Sequence, residues 1–382
     1  MKAYCLNNIS KVALDTLDNN NVVVNEVQEA DCILVRSAKM HDMELDNNIL
    51  AVARAGAGVN NIPLEKYAET GVVVFNTPGA NANAVKELVL CGLLLSCRDV
   101  VGGIKYIENN TEDENIATAA EKAKAKYAGI EIKGKTIAVI GLGVIGVMVA
   151  NACQNLGMKV VGYDPYLSIQ NAMSLSKEVK YAEKIEEAVS GADFVTIHVP
   201  LNDSTKYMFN EKMFNYFKDN TILLNFSRDA LVNDNDLLQA IKNNKVLKYV
   251  TDFANPDVVK LPNTICLPHL GASTAEAEDN CAVMAIEQLI DYIDNGNIKN
   301  SVNYPNCNAG VKCGTYRLCI NHKNISGMIA KFSTVISNDN GNIENLVNKS
   351  KGDYAYSVID ITGEFNIKDI EEIPGVLKVR VL

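Results

Sequence analysis

Three polar side chains stand where apolar runs end in the second half of this chain. Arg228 follows Thr221-Ile-Leu-Leu224, Asp252 follows Lys248-Tyr-Val-Thr251, and His269 follows Thr264-Ile-Cys-Leu267. A guanidinium is a planar fork that pairs bidentately with a carboxylate. Histidine titrates near neutrality and can take or return a proton. Oxidising a hydroxy acid needs these two groups and a hydride acceptor. The acceptor's place is marked upstream, where Thr136-Ile-Ala-Val-Ile140 runs into Gly141-Leu-Gly143-Val144-Ile145-Gly146. Glycines at that spacing, after a strand and before a helix, let backbone N–H groups approach a pyrophosphate. Asp164 ends the next apolar run, Lys159-Val-Val-Gly162-Tyr163, and a carboxylate there binds ribose hydroxyls and repels a 2′-phosphate. The pattern therefore favours NAD over NADP.

Six short runs, the sixth being Phe194-Val-Thr-Ile197 ending at His198, predict a parallel sheet with its polar ends on one edge. An earlier set (Lys2–Leu6, Cys32–Val35, Ala51–Ala53, Val72–Phe75) predicts a second α/β unit. Its strands close on Arg36-Ser37, on Arg54-Ala-Gly56-Ala57-Gly58 and on Asn76-Thr-Pro. Gly56, Ala57 and Gly58 are placed to offer backbone N–H groups to a carboxylate. The helical spacing of Thr274 to Asp294 returns the chain to this first unit. Gly296 to Gly314, rich in Asn, Gly and Pro, reads as a linker. Beyond it the order strand, helix, hairpin, helix, strand predicts a ferredoxin-like βαββαβ unit. The fold class is thus two Rossmann-like or flavodoxin-like parallel-sheet domains followed by a smaller antiparallel one. The expected division is 1–97 with 275–300 for substrate, 98–274 for NAD, 301–314 as linker and 315–382 as the C-terminal domain.

Composition narrows the partners. Of 382 residues, 36 are Lys or Arg and 46 Asp or Glu, a net charge of −10 that argues against nucleic acid. No apolar stretch is long enough to span a bilayer. The ten cysteines are scattered, mostly in apolar runs, with Cys307 and Cys313 in a loop-like stretch. No pair has metal-binding spacing, so reduced thiols in a cytoplasm and no metal site are expected. His41 reads as a solvated loop residue.

The combination Ala53-Arg-Ala-Gly-Ala-Gly-Val-Asn-Asn61, Asn76-Thr-Pro-Gly-Ala-Asn81, the glycine motif, His198-Val199-Pro200-Leu201, Asn225-Phe226-Ser227-Arg228 and Pro268-His-Leu-Gly271-Ala-Ser-Thr274 resembles the D-2-hydroxyacid dehydrogenases over nearly the whole chain. Within that family it is most similar to the members that oxidise 3-phospho-D-glycerate to 3-phosphohydroxypyruvate. The resemblance implies His269 as acid/base and Arg228 as carboxylate holder. It places His198, Val199, Pro200, Thr205, Phe226, Ser227, Asp252 and Gly271 around NAD. Arg36, Ser37 and Arg54 are implied at the substrate phosphate, and Asn81 over the carboxylate or nicotinamide. The C-terminal unit resembles an ACT regulatory domain, with His322, Asn324 and Asn342 as an L-serine site and a homodimer or homotetramer as the assembly. Four positions depart from the family. Asp229 replaces a glycine, Asn255 replaces the acidic partner of the histidine, Lys86 replaces an alanine and Ser326 a proline. Two alternatives stay open: a glyoxylate/hydroxypyruvate or D-lactate reductase of the same family, and an NAD-binding sensor that has lost catalysis.

Overall fold

The computed structural model describes residues 1–18 and 20–382. The chain forms two compact units, one of residues 82–274 and one of residues 1–81 with 275–382.

The 82–274 unit is built on seven strands: β6 (Thr136–Ile140), β7 (Lys159–Tyr163), β8 (Lys180–Tyr181), β9 (Phe194–Ile197), β10 (Thr221–Asn225), β11 (Val246–Thr251) and β12 (Thr264–Cys266). All pair in parallel, in the order β12-β11-β10-β9-β6-β7-β8. The chain leaves β6 toward one side, then returns to its other flank at β9. That reversal is the topological switch point, where open α/β sheets bind ligands beyond the strands' carboxyl ends. Strands covered on both faces need no polar alternation, and β6, β9 and β10 are almost wholly buried. The helix Ala82–Cys97 belongs here: Val85, Val89, Leu93 and Cys97 join the core formed with Ile137, Val139, Leu224 and Val250. Gly92 permits this approach, because a Cβ there would lie 2.6 Å from the Phe226 ring. The boundary expected at 97/98 therefore falls at 81/82.

The other unit opens with β1 (Lys2–Cys5), β2 (Val22–Val24), β3 (Cys32–Val35), β4 (Ala51–Arg54) and β5 (Val73–Phe75). They form a parallel sheet ordered β2-β1-β3-β4-β5, a flavodoxin-like order with its switch point between β1 and β3. The long helix Ala275–Asn295 packs on it through Cys281, Ala282, Ile286, Leu289 and Tyr292.

The C-terminal segment carries β13 (Tyr316–Lys323), β14 (Asn342–Lys351), β15 (Tyr354–Thr362) and β16 (Val376–Val381), with helices Met328–Asn338 and Ile367–Glu371. The antiparallel order β14-β15-β13-β16 is the ferredoxin-like arrangement. It is no tethered appendage. Cys319, Tyr356 and Val358 share one core with Phe75, Tyr292 and Tyr304. On β16, Lys378 Nζ donates to the Ile49 carbonyl at 2.7 Å, and Arg380 donates to those of Tyr292 and Ile293 at 2.5 and 3.0 Å. The composition that reads as a linker is likewise packed: Asn297, Ile298, Ser301, Asn303, Tyr304 and Cys307 are all buried. Arg317 and Asp360, both fully buried, pair through two hydrogen bonds of 2.6 and 2.8 Å. Arg317 also donates to the carbonyls of Asn295 and Gly310, each at 2.7 Å.

All ten cysteines are free. No described helix is long and apolar enough to cross a membrane. Among the described residues no cluster of His, Cys, Asp or Glu has the makings of a metal site.

Candidate active site

The glycine turn after β6 is locked by backbone. Gly141 sits at φ +94°, where its N–H meets the Tyr163 carbonyl at 2.8 Å. A Cβ on Gly141 would lie 2.8 Å from the His198 carbonyl group, and one on Gly146 only 1.9 Å from the Gly141 oxygen. Gly143 differs. It precedes the helix Val144–Asn155 and has open space where its Cβ would be. A bare backbone facing open space at a helix N-terminus is the requirement for a pyrophosphate. Val144 is half exposed beside it, whereas Ile145 packs against the core. Asp164, just past β7, accepts from the Leu142 N–H through Oδ2 and from the Tyr166 N–H through Oδ1, both at 2.8 Å. These bonds hold the carboxylate beside the glycine turn, and the residues present therefore suit an adenine dinucleotide.

On the other side of the switch point, the His198 ring meets the Thr196 hydroxyl through Nε2 at 3.0 Å. Burial pushes its pKa down to about 3, so the ring is neutral and is no general acid near pH 7. Behind it the loop is braced. Ser227 Oγ donates to the Val199 carbonyl at 2.5 Å, and Thr205 Oγ1 donates to that of Pro200 at 2.7 Å.

Arg228 is exposed beyond β10. The buried Asn225 amide donates to the Arg228 carbonyl at 2.8 Å and to the Tyr249 hydroxyl at 3.2 Å, so the loop bearing Arg228 is fixed from below. Phe226 is buried beneath it. The guanidinium donates to the Ser227 carbonyl at 2.6 Å. Asp229 does not neutralise it: that carboxylate accepts from the Ala230 N–H at 2.7 Å.

His269 is exposed just beyond β12, its ring 4.7 Å from that of Phe253. Asp252 lies beneath, 1% exposed, with Oδ2 accepting from the Gly271 N–H at 3.2 Å and Oδ1 without a partner. Burial raises the Asp252 pKa; His269, the Gly271 N–H and Arg228 pull it back in part. Asn255 is not brought to His269. Its Oδ1 accepts from the N–H groups of Asp257 and Val258, and its Nδ2 donates to Asp234 at 3.0 Å. The expected partner position is thus spent on the local turn that leads into Val258–Lys260 and on Asp234.

In the other unit, the Gly56 N–H is already taken by Thr77 Oγ1 at 2.8 Å and the Arg54 carbonyl at 2.9 Å. The carboxylate cradle expected of Gly56, Ala57 and Gly58 is therefore reduced to the last two. Arg54 Nε donates to the Arg36 carbonyl at 2.9 Å. Arg36 pairs with Glu278. Ser37 is exposed and accepts from Asn7 at 3.4 Å. Asn81 has a buried Oδ1 with no partner. Lys86 stays on its own helix, donating to Asn83 at 2.6 Å.

The C-terminal candidates are dispersed. His322 lies inside β13, not on the following turn, 2% exposed, with Nε2 2.9 Å from Ser357 Oγ and Nδ1 2.8 Å from the Lys323 carbonyl. Burial lowers its pKa. Asn324 donates to the Gly352 carbonyl at 2.9 Å. Asn342 donates to Glu344 at 2.8 Å and pairs with Thr362, at the end of the sheet away from the Lys323–Tyr354 pair. One chain does not bring the three together.

Comparison with known proteins fits this geometry. Residues 95–271 match the family model described as D-isomer specific 2-hydroxyacid dehydrogenase, NAD binding domain. A D-3-phosphoglycerate dehydrogenase from Haemophilus influenzae is 30% identical over 355 residues, 89% of this chain and 83% of that protein. One from Methanocaldococcus jannaschii is 30% identical over 310 residues, 79% of this chain. The chain spans 57% of the length of that protein and 60% of the Archaeoglobus fulgidus relative. Among solved structures, an NAD+-bound 3-phosphoglycerate dehydrogenase from Entamoeba histolytica superposes with a TM-score of 0.60 at 24% identity, over 79% of this chain and 98% of that one. This chain belongs to the D-isomer-specific 2-hydroxyacid dehydrogenase family, and residues 95–271 are its NAD-binding domain.

Proposed function

We propose that the protein oxidises 3-phospho-D-glycerate to 3-phosphohydroxypyruvate. The observation that carries this is the carboxyl edge of the seven-stranded sheet, which gathers the open turn at Gly143, the anchored Asp164, the unneutralised Arg228 and the pair of His269 above buried Asp252. Bound NAD supplies the hydride acceptor. Gly143 and the helix N-terminus behind it hold the pyrophosphate, and Asp164 holds the ribose. Arg228 pairs with the substrate carboxylate through its fork. His269 takes the hydroxyl proton as the carbinol carbon becomes a carbonyl, and returns it in the reverse direction. Asp252 fixes the turn that follows His269 by accepting from the Gly271 N–H.

The phosphate reading rests on the relatives' names and on Arg36 and Arg54 at adjacent strand ends. In function we divide the chain into a substrate domain (1–81, 275–300), an NAD domain (82–274), a connection (301–314) and an ACT-type module (315–382). That module, in a homodimer or homotetramer, takes L-serine between Asn324 of one copy and Asn342 of another. The experiment is NADH formation from 3-phosphoglycerate beside D-lactate, D-glycerate and glycolate, repeated with millimolar L-serine. A preference for an unphosphorylated acid refutes the substrate; unchanged rates and melting temperature with serine refute the effector.

A further inference from the structure

A cavity of about 320 Å³ opens at the carboxyl ends of the five-stranded sheet, beside the switch point between β1 and β3. Its walls are Ser10 and Lys11 from the segment after β1, Arg36 after β3, Ala55 after β4, and Glu278 and Ala282 on the helix Ala275–Asn295. The volume lies at the small end of ligand pockets, roughly 300–1,000 Å³, and the position is the one such sheets use for ligands.

The charges are arranged unevenly. Arg36 is anchored at its backbone, where its N–H meets Asn7 Oδ1 at 2.9 Å and its carbonyl accepts from Arg54 Nε at 2.9 Å. Its guanidinium, by contrast, pairs with Glu278, the two side chains being 43% and 40% exposed. An ion pair that wet is weakly held. Lys11 brings a second cation to the same cavity, and no described carboxylate pairs with it. Arg54 does not line the cavity; its guanidinium lies 3.4 Å from where a Gly56 Cβ would be. Ser10 is tied to Asp279 and caps the short helix Lys11–Leu14, which fixes the segment that carries Lys11.

We propose that Lys11 is a second cation beside Arg36 at the phosphate end of this cavity, and that Glu278 is the counter-ion the phosphate displaces. The proposal rests on the reading of this chain as a phosphoglycerate enzyme. A phosphate monoester carries nearly two negative charges and three acceptor oxygens, so it outcompetes one carboxylate for the Arg36 fork and engages the ammonium as well. A singly charged, unphosphorylated acid does not, and the Arg36–Glu278 pair stays closed. Glu278 therefore lowers affinity for the correct substrate while setting the charge a substrate must bring. Such selectivity by an internal competitor is discrimination by repulsion as well as by attraction.

The test compares KM for 3-phosphoglycerate and for D-glycerate, with competitive inhibition by inorganic phosphate, in four variants whose folding is checked by melting temperature. Glu278→Gln should lower KM for the phosphorylated acid and Ki for phosphate by about threefold to tenfold, and leave the KM for D-glycerate unmoved. Lys11→Met should raise both phosphate-dependent constants about tenfold, and Lys11→Arg should restore them. A Glu278→Gln variant with unchanged or higher KM overturns the displacement, and equal losses on both acids in Lys11→Met overturn the second cation. Arg36→Ala separates the two levels. If it too affects both acids equally, the phosphate reading of the unit falls; if it is selective while the Lys11 and Glu278 variants are not, only this proposal falls.

Discussion

Alanine at two glycines of one turn should have opposite consequences, and the contrast tests how the turn works. At Gly146 a Cβ would stand 1.9 Å from the Gly141 oxygen and 2.9 Å from its carbonyl carbon. Ordinary contact requires a shift of more than about 1 Å, and overpacking of this kind costs ~1–3 kcal/mol or more. The neighbour cannot yield easily, because Gly141 is itself held at φ +94° with its N–H on the Tyr163 carbonyl. Gly146→Ala should therefore lower the denaturation midpoint and weaken NAD together. At Gly143 nothing lies within 4 Å of the added carbon and φ is −67°, a conformation alanine adopts freely. Gly143→Ala should keep its stability within ~0.5 kcal/mol. Its methyl group nevertheless occupies the side from which a pyrophosphate approaches. A loss of ~1.5–3 kcal/mol there is roughly a tenfold to hundredfold rise in Kd. Isothermal titration with NAD and urea denaturation read the two quantities separately. A Gly143→Ala protein that binds NAD like the parent would refute the placement of the pyrophosphate on that face.

Asp164→Ala should narrow the preference for NAD over NADP by roughly tenfold, ~1.4 kcal/mol, in paired Kd measurements, with some loss of stability because the Leu142 and Tyr166 N–H groups lose their acceptor. Arg317→Met should cost ~3–5 kcal/mol in chemical denaturation, since Asp360 is left buried and unpaired; Arg317→Met with Asp360→Leu should recover most of it. Burial raises the Asp360 pKa, but Arg317 and Cys313 outweigh it and hold the carboxyl below its ordinary range. This pair's contribution is thus complete above about pH 4 and lost as pH falls through the depressed value, which an acid titration of the parent and of Asp360→Asn resolves. Lys378 titrates the other way. Burial lowers its pKa from 10.5 to about 8, so the folded state is penalised below pH 8 and relieved as pH rises toward 10.5. Lys378→Met should flatten the stability profile across that alkaline window.

Most of the framework was legible because buried parallel strands are short apolar runs with polar punctuation. The runs at 136–140, 194–197 and 32–35 match β6, β9 and β3 residue for residue. One edge strand of each parallel sheet escaped: β2 and β8 are only three and two residues long and largely exposed. The C-terminal βαββαβ order was readable from alternation and spacing, but its docking was not. Asparagine-rich composition between 296 and 314 says turn, and says nothing of Asn303 reaching the Val72 carbonyl or Tyr304 that of Ala68. At the site, the glycine motif, Asp164, Arg228 and His269 were identifiable because each closes a strand. Asn255 misled because a position counted along the chain does not say where the side chain points. Lys11 and Glu278 went unnoticed, although a segment that follows β1 at a switch point is a place to look for ligand contacts.

The order in which this chain leaves the ribosome gives the shared C-terminal core a further cost. The first five strands are translated early, yet Cys281, Ile286, Leu289, Tyr292, Tyr304, Cys319 and Tyr356, which complete their apolar face, come from the last third of the chain. Residues 82–274 separate the two, and synthesis at ~5–20 residues per second makes that interval roughly 10–40 s. The middle unit is one continuous segment that carries all seven of its strands. The N-terminal sheet, by contrast, leaves Phe75 and Ala53 without their core partners until the last third of the chain arrives.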